Sequence, residues 1–341
     1  MKVKKIRRNG YLLLVLVVLV STGICGCTAP VFKPGFPPGP AVCQSLPVIS
    51  GPLPGPFTLP EGMLTVRFLD VGLGDAILFR SPSGKTMLVD AGSGLMAGDL
   101  VSELDAAGIT NLDIVLATHP HEDHIGGMGT VMTRYRVGQF IDAGVPHTTA
   151  TYEHLMKQTE ALRIPYRKVQ AGDTITLDNG VTFRVVSPDG TLLSADENEN
   201  AAENLNENSI VLTMTYGNIT FLLMGDATAE AERFVQNSGI SLDADVLKVG
   251  HHGSSHSSGT GFLARVRPAV SIIEVGSPNP YGYPSPATIA RLQETGSAVY
   301  RTDLNGTVII TTDGRTCQVF VERGILMPVP DLVPAPAAVA A

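Results

Sequence analysis

Thr118-His119-Pro120-His121-Glu122-Asp123-His124, followed by Ile125-Gly126-Gly127, decides how this chain of 341 residues is read. The stretch sets three imidazoles and a carboxylate in the spacing H-x-H-x-D-H directly after the apolar run 113–117, which has the length and content of a buried strand. Imidazoles packed this closely repel one another when charged. As neutral donors they gain most by sharing a divalent cation. A strand end presents such a cluster from a fixed place, and the two glycines let the backbone turn into the next helix without side-chain bulk. The chain has eight histidines, and most of the others fall in a second window, Gly250-His251-His252-Gly253-Ser254-Ser255-His256, again just after a strand-like run. A polar surface loop does not account for that spacing.

Working outward, Met63 opens a region of short apolar runs punctuated by Gly, Pro, Asn and Asp. Strands are predicted over 64–69, 76–79 and 86–89, with a Ser-Pro-Ser-Gly turn at 81–84 between the last two. A helix over 99–107 ends at Gly108, and 149–162 has helical spacing. Strand signals cover 173–186, and an Asn/Glu-rich loop follows at 196–208. Two strands, 210–215 and 219–224, flank Gly217-Asn218. The last third alternates helix 229–237, strand 245–249, a helix near Phe262, strand 269–275, helix 285–294 and strand 306–311. No internal repeat is visible. Hairpins in each half, alternating with helices, predict a layered α/β domain over 61–326 with helices outside two central sheets.

The first segment reads as an address. Five bases (Lys2, Lys4, Lys5, Arg7 and Arg8) precede the apolar run 11–20, and small residues with Cys25 and Cys27 follow. The run is about half the ~20 residues a spanning helix needs. Ile24-Cys25-Gly26-Cys27 resembles a lipobox with Cys27 as the lipidated residue, so 1–27 is either a lipoprotein signal or an uncleaved N-terminal anchor. Both readings place the remainder outside the cytoplasmic membrane, secreted or held at its outer face. Residues 28–60 are a Pro/Gly-rich linker, and 327–341 are a low-complexity tail. Of four cysteines, Cys43 and Cys317 remain for a pairing that would tie the linker to the last strands, and two separate thiols are the other reading. The whole chain carries −8, and setting the five leading bases aside leaves the body at −13. That sign excludes a basic DNA-coating protein, because long-range steering of nucleic acid needs a positive surface. It leaves room for a metal-centred site acting on phosphates.

The 118–127 motif resembles the HxHxDH signature of metallo-β-lactamase-fold hydrolases, and within them the extracytoplasmic hydrolase domain of the ComEC competence proteins. Supporting segments stand in order at 68–75 (Phe-Leu-Asp-Val-Gly-Leu-Gly-Asp), 88–92 (Leu-Val-Asp-Ala-Gly), 221–226 (Phe-Leu-Leu-Met-Gly-Asp), 245–254 and 300–306. The resemblance covers roughly 62–322 and implies a four-layer αβ/βα sandwich. It implies two divalent ions, Zn2+ or Mn2+. His119 and His121 would hold one, and Asp123, His124 and His251 the other, with Asp226 bridging. Asp90 would orient the loop, as partners of metal-ligating histidines do. The choice between His251 and His252 is open from spacing. His251, first after the strand, is preferred as ligand, which leaves His252 to contact substrate or donate a proton. Asp75 would line the site mouth or serve only its Gly-flanked turn.

Two departures from the resemblance stand out. The fold's third metal-site histidine, expected before the strand at 210, is replaced by 203–209 (Glu-Asn-Leu-Asn-Glu-Asn-Ser). This shifts the first site toward oxygen-tolerant ions such as Mn2+. The Tyr-Gly-His-Pro-His-Pro segment of the relatives reads Tyr281-Gly-Tyr-Pro-Ser-Pro286, with Tyr283 and Ser285 in place of histidines. The implied activity is phosphodiester hydrolysis by a metal-activated bridging water, on DNA or on smaller phosphodiesters. The alternative is a surface lipoprotein that binds DNA or a partner through a degenerate pocket without turnover. Lys248, Arg265, Arg267, Arg291 and Arg301 are read as solvated surface charge. The oligomeric state is left open.

Overall fold

The computed structural model describes residues 62–190 and 205–324. The signal or anchor segment with Cys27, the linker 28–60, residues 196–204 of the Asn/Glu-rich loop and the tail 327–341 lie outside the described residues. In chain order the strands are β1 (Leu64–Phe68), β2 (Ile77–Arg80), β3 (Thr86–Val89), β4 (Asn111–Leu112), β5 (Ile114–Leu116), β6 (Arg136–Val137), β7 (Phe140–Asp142) and β8 (Tyr166–Lys168). They continue as β9 (Thr174–Asp178), β10 (Val181–Ser187), β11 (Val211–Tyr216), β12 (Ile219–Leu223), β13 (Val246–Lys248), β14 (Val270–Ile273), β15 (Ala298–Arg301), β16 (Val308–Thr312) and β17 (Cys317–Val321).

Two sheets carry the domain. One runs β17-β16-β1-β2-β3-β5-β7-β8 and the other β15-β14-β13-β12-β11-β10-β9, while β4 and β6 make a small parallel pair. Each sheet has an antiparallel run and a parallel run. In the first, β1, β2 and β3 pair antiparallel, then β5, β7 and β8 add in parallel. In the second, β10, β11 and β12 pair antiparallel, then β13, β14 and β15 add in parallel. A helix accompanies each parallel step, as parallel pairing requires. Ala97–Ala106, Met128–Arg134 and Ala150–Ala161 serve the first sheet, and Ala229–Asn237, Thr260–Val266 and Pro286–Glu294 the second. The halves thus repeat in topology although no repeat was visible in the sequence.

Burial separates four layers. The inner faces of both sheets share one core, including Val66, Phe79, Leu116, Phe183, Leu212, Phe221 and Ile310. The outer face of the first sheet, through Leu78, Leu88 and Val115, packs on Leu100, Leu104, Met128 and Val131 of its helices. The outer face of the second, through Leu222, Leu247 and Ile273, packs on Ala231, Val235, Phe262 and Leu292. This is the αβ/βα sandwich expected. Strands β13 and β14 are buried along their whole length, as parallel strands covered on both faces are.

The expected strand region 173–186 resolves into the hairpin β9–β10, with register shifts in both of β10's pairings. Strands β7, β8 and β15 were not anticipated. The first has only three residues, and β8 reads Tyr-Arg-Lys at a sheet edge with none of the three buried. Strand β17, one of the last strands on which Cys317 was placed, alternates cleanly in burial. Its Cys317 is buried and disulfide-bonded. Cys25, Cys27 and Cys43 all lie outside the described residues.

Phe79 and Phe183 meet edge-to-face across the central core, with ring centroids 5.0 Å apart and planes at 88°. Phe79→Ala is expected to cost about 3–5 kcal/mol in urea unfolding. A double-mutant cycle with Phe183→Ala should show coupling of about 0.5–1.5 kcal/mol. Additive losses would mean that the two sheets are not clamped through this pair.

Candidate metal centre

The two sheets bring equivalent strand ends to one place. Asp90 follows β3 and Asp226 follows β12, while 118–124 follow β5 and 250–253 follow β13. Asp90 has φ +58°, a left-handed conformation that few residues other than glycine adopt. Its Oδ1 accepts the Thr118 N–H at 2.8 Å, and its Oδ2 accepts the Thr118 hydroxyl at 2.7 Å and lies 2.8 Å from His124 Nδ1. One buried carboxylate therefore ties β3 to the histidine loop and leaves His124 Nε2 for the site. Burial raises the Asp90 pKa, with His124 opposing. The backbone is equally tight. A Cβ on Gly127 would sit 2.2 Å from the Ala91 carbonyl oxygen, so the glycine is required by close approach.

Asp226 stands at the centre. Its N–H donates to Ser209 Oγ at 3.1 Å. Its Oδ2 is 3.4 Å from Nε2 of both His124 and His252, and 3.9 Å from Nε2 of both His119 and His251. Two donor groups share it, Asp123, His124, Asp226 and His252 in one and His119, His121 and Asp226 in the other. Within each group the donor atoms all lie within 4.8 Å of one another. Asp75, Asp90 and His124 form a further such group behind them.

The donor set fits divalent ions. His124 Nε2, His252 Nε2 and Asp226 Oδ1 are buried and have no hydrogen-bond partner. Such atoms are costly to bury unless something else satisfies them. Burial, and then His124 beside it, pushes His119 well below the usual imidazole range, and burial lowers His121 as well. For His124 and His252 burial also opposes the charge, but Asp226 and neighbouring carboxylates outweigh it and raise both. Burial works against the Asp123 and Asp226 charges too, and His124 and His252 hold both carboxyls below their usual range. These carboxylates demand positive charge close by. A bound cation supplies it while the imidazoles stay neutral.

The geometry separates the two adjacent histidines. His252, not His251, joins Asp123, His124 and Asp226. The reason is backbone: both residues have positive φ, +49° and +50°, so the chain coils back after β13 and the second ring is the one turned inward. Such strain concentrates at functional sites. His252 is fully buried, with Nδ1 2.9 Å from the Glu274 carbonyl and 3.3 Å from Asp75 Oδ1. The His251 side chain stays partly exposed beside Asn206, with 3.5 Å between Asn206 Nδ2 and its Nε2.

Asp75 departs from its expected place. It does not line the mouth but is buried behind His252, in a 2.6 Å ion pair with Lys248. Lys248, read as solvated surface charge, is fully buried and also donates to the Val249 carbonyl. Of the arginines, Arg267 and Arg301 pair with Asp243 and Asp303, Arg265 donates to the Gln236 carbonyl, and Arg291 bonds the Ser257 and Ser258 carbonyls. In the segment lacking the third histidine, residues 205–207 are helical rather than loop. Asn206 Oδ1 is buried there without a hydrogen-bond partner, and Glu207 caps the helix at 229 by accepting the Ala231 N–H at 2.7 Å. Glu274, whose Oε1 accepts the Ala76 N–H at 3.0 Å, was missed. Its signal, like that of Lys248, is one charge inside an apolar run.

The metallo-beta-lactamase superfamily profile matches residues 69–273. The chain belongs to that superfamily, and its fold and donor groups make it a metal-dependent hydrolase of that class, related to competence proteins. It is 30% identical over 263 residues to ComE operon protein 3 of Bacillus subtilis, covering 71% of this chain and 32% of that protein. It is 32% identical over 249 residues to Recombination protein 2 of Haemophilus influenzae, covering 71% and 28%. It is 30% identical over 253 residues to Competence protein ComA of Neisseria gonorrhoeae, covering 74% and 33%. The chain thus spans about a third of the length of the curated relatives it matches. Among the described residues no helix is long and apolar enough to cross a membrane.

Removing one partner of the buried Asp75–Lys248 pair should be costly. Lys248→Met is expected to destabilise the fold by about 3–5 kcal/mol in urea unfolding. The double variant with Asp75→Leu should lose less than the sum of the singles. A cost below about 1 kcal/mol for Lys248→Met, as surface pairs show, would contradict the buried pairing.

Proposed function

We propose that this chain is an exported, membrane-anchored phosphodiesterase that cleaves DNA using two divalent ions. The observation that carries the reading is the pair of donor groups sharing the Asp226 carboxylate. In this reading His119, His121 and Asp226 hold one ion, and Asp123, His124, His252 and Asp226 hold the other. Two such ions would supply a nucleophile at neutral pH and neutralise charge developing on the phosphodiester oxygens. Asp90 fixes His124 for this task, and Glu274 and Asp75 fix His252 through its Nδ1. His251, partly exposed beside the donors, is placed to contact substrate or carry a proton. The competence relatives support DNA as substrate, and the leader at 1–27 supports export and anchoring. Asn206, in place of a third histidine, favours an oxygen-tolerant ion such as Mn2+ over Zn2+ at the first site.

The test is incubation of the purified protein with linear single- and double-stranded DNA in Mn2+ or Zn2+. Metal-dependent cleavage is expected, abolished in Asp123→Ala and reduced about 10- to 100-fold in Asp90→Asn. Asp226→Ala should lose cleavage and one bound ion while keeping its circular dichroism spectrum. Intact DNA with either metal contradicts the nuclease reading and moves the substrate to smaller phosphodiesters. Absence of bound metal after reloading would favour the non-catalytic lipoprotein.

A further inference from the structure

The segment that joins β14 to the helix Pro286–Glu294 is built rigidly beside the donor groups. Asn279 clamps it, with Nδ2 donating to the Gly276 carbonyl at 2.8 Å and to the Tyr283 carbonyl at 2.9 Å, and Oδ1 accepting the Tyr283 N–H at 3.0 Å. The Ser285 N–H donates to the Gly253 carbonyl at 2.8 Å, which seats the segment on the histidine loop. A Cβ on Gly253 would come within 2.6 Å of Pro284, so the two loops are in contact.

On this support the aromatic rings form a stair. The Tyr283 ring lies 6.5 Å from that of His252, with 29° between the planes, and 5.4 Å from that of His251 at 66°. Tyr281 stacks on Tyr283 at 5.5 Å and 20°. Tyr281 is 65% exposed. The stair thus begins at a residue of the four-donor group and ends in an open ring face.

We infer that Tyr281 and Tyr283 are a stacking platform for an unpaired nucleobase, so that the site takes single-stranded DNA in preference to duplex. This deepens the phosphodiesterase reading and rests on it. Electrostatics point the same way. The body is acidic, Lys248 is spent on Asp75, and Arg265, Arg267, Arg291 and Arg301 are engaged with Asp243, Asp303 or backbone carbonyls. A strand then gains from a grip that does not depend on phosphate neutralisation. Aromatic faces provide it for any base, strengthening binding by about 5- to 150-fold per stacked base. A duplex keeps its bases stacked inside and has to flip one out before the platform helps it.

The test is a binding titration of the whole protein in EDTA, so that cleavage plays no part. The probes are labelled oligo-dT carrying one 2-aminopurine, an abasic strand of equal length and charge, and a blunt hairpin duplex. The chain has no tryptophan, so the probe fluorescence is read without that background. Binding to oligo-dT is expected to exceed binding to both controls by at least about fivefold, with quenching of 2-aminopurine. Tyr281→Ala should remove the preference and the quenching, and Tyr281→Phe should keep both. Equal binding to base-bearing and abasic strands, no binding to any strand, or an undisturbed preference in Tyr281→Ala overturns the inference. In the unsubstituted protein, absence of the preference while metal-dependent cleavage persists sinks the platform alone. Retained preference without cleavage sinks the nuclease reading alone.

Discussion

The Asp226 carboxylate is buried where the ends of two sheets meet, within 4 Å of four imidazoles. Everything around it serves to make that position tolerable. A carboxylate and several imidazoles taken out of water must be compensated in charge and bonded at their remaining atoms. The fold meets this with a second ring of buried groups. Asp90 holds His124, Asp75 and the Glu274 carbonyl hold His252, Lys248 balances Asp75, and Ser209 holds the Asp226 backbone. The outer groups leave His124 Nε2, His252 Nε2 and Asp226 Oδ1 without a hydrogen-bond partner, whereas His119 Nε2 lies 3.0 Å from His121 Nδ1.

That demand explains features that would otherwise look like defects. Three of the non-glycine residues with positive φ are Asp90, His251 and His252. Strain of this kind costs about 1–3 kcal/mol per residue. It persists because the two-sheet core on one side and the helices on the other over-determine the loops between them. The repeated topology supplies the symmetry: each sheet presents a carboxylate after its last antiparallel strand and a histidine loop after its first parallel strand. The donors come from both halves, so neither half has a complete site alone.

Much of this was legible in the residues. The motif at 118–124, the second histidine window and the order of hairpins and helices led to the sandwich and to most of the donors. What could not be read from spacing was direction. His251 and His252 are adjacent, and only the left-handed turn after β13 decides which ring faces Asp226. Asp75 and Lys248 are 173 positions apart, so each alone reads as ordinary surface or turn charge, and their pairing exists only in three dimensions. The edge strand β8 escaped notice because a sheet edge does not impose an apolar pattern.

The central claim is that one carboxylate, Asp226, is shared between two cations, with His252 on the second. Anomalous diffraction from crystals of the protein loaded with Mn2+ tests it most directly. The account predicts two peaks about 3.5–4 Å apart, one beside His119 and His121 and the other beside Asp123, His124 and His252, with Asp226 between them. A single peak, or a second ion ligated by His251 while His252 stays on the Glu274 carbonyl without metal, would contradict it.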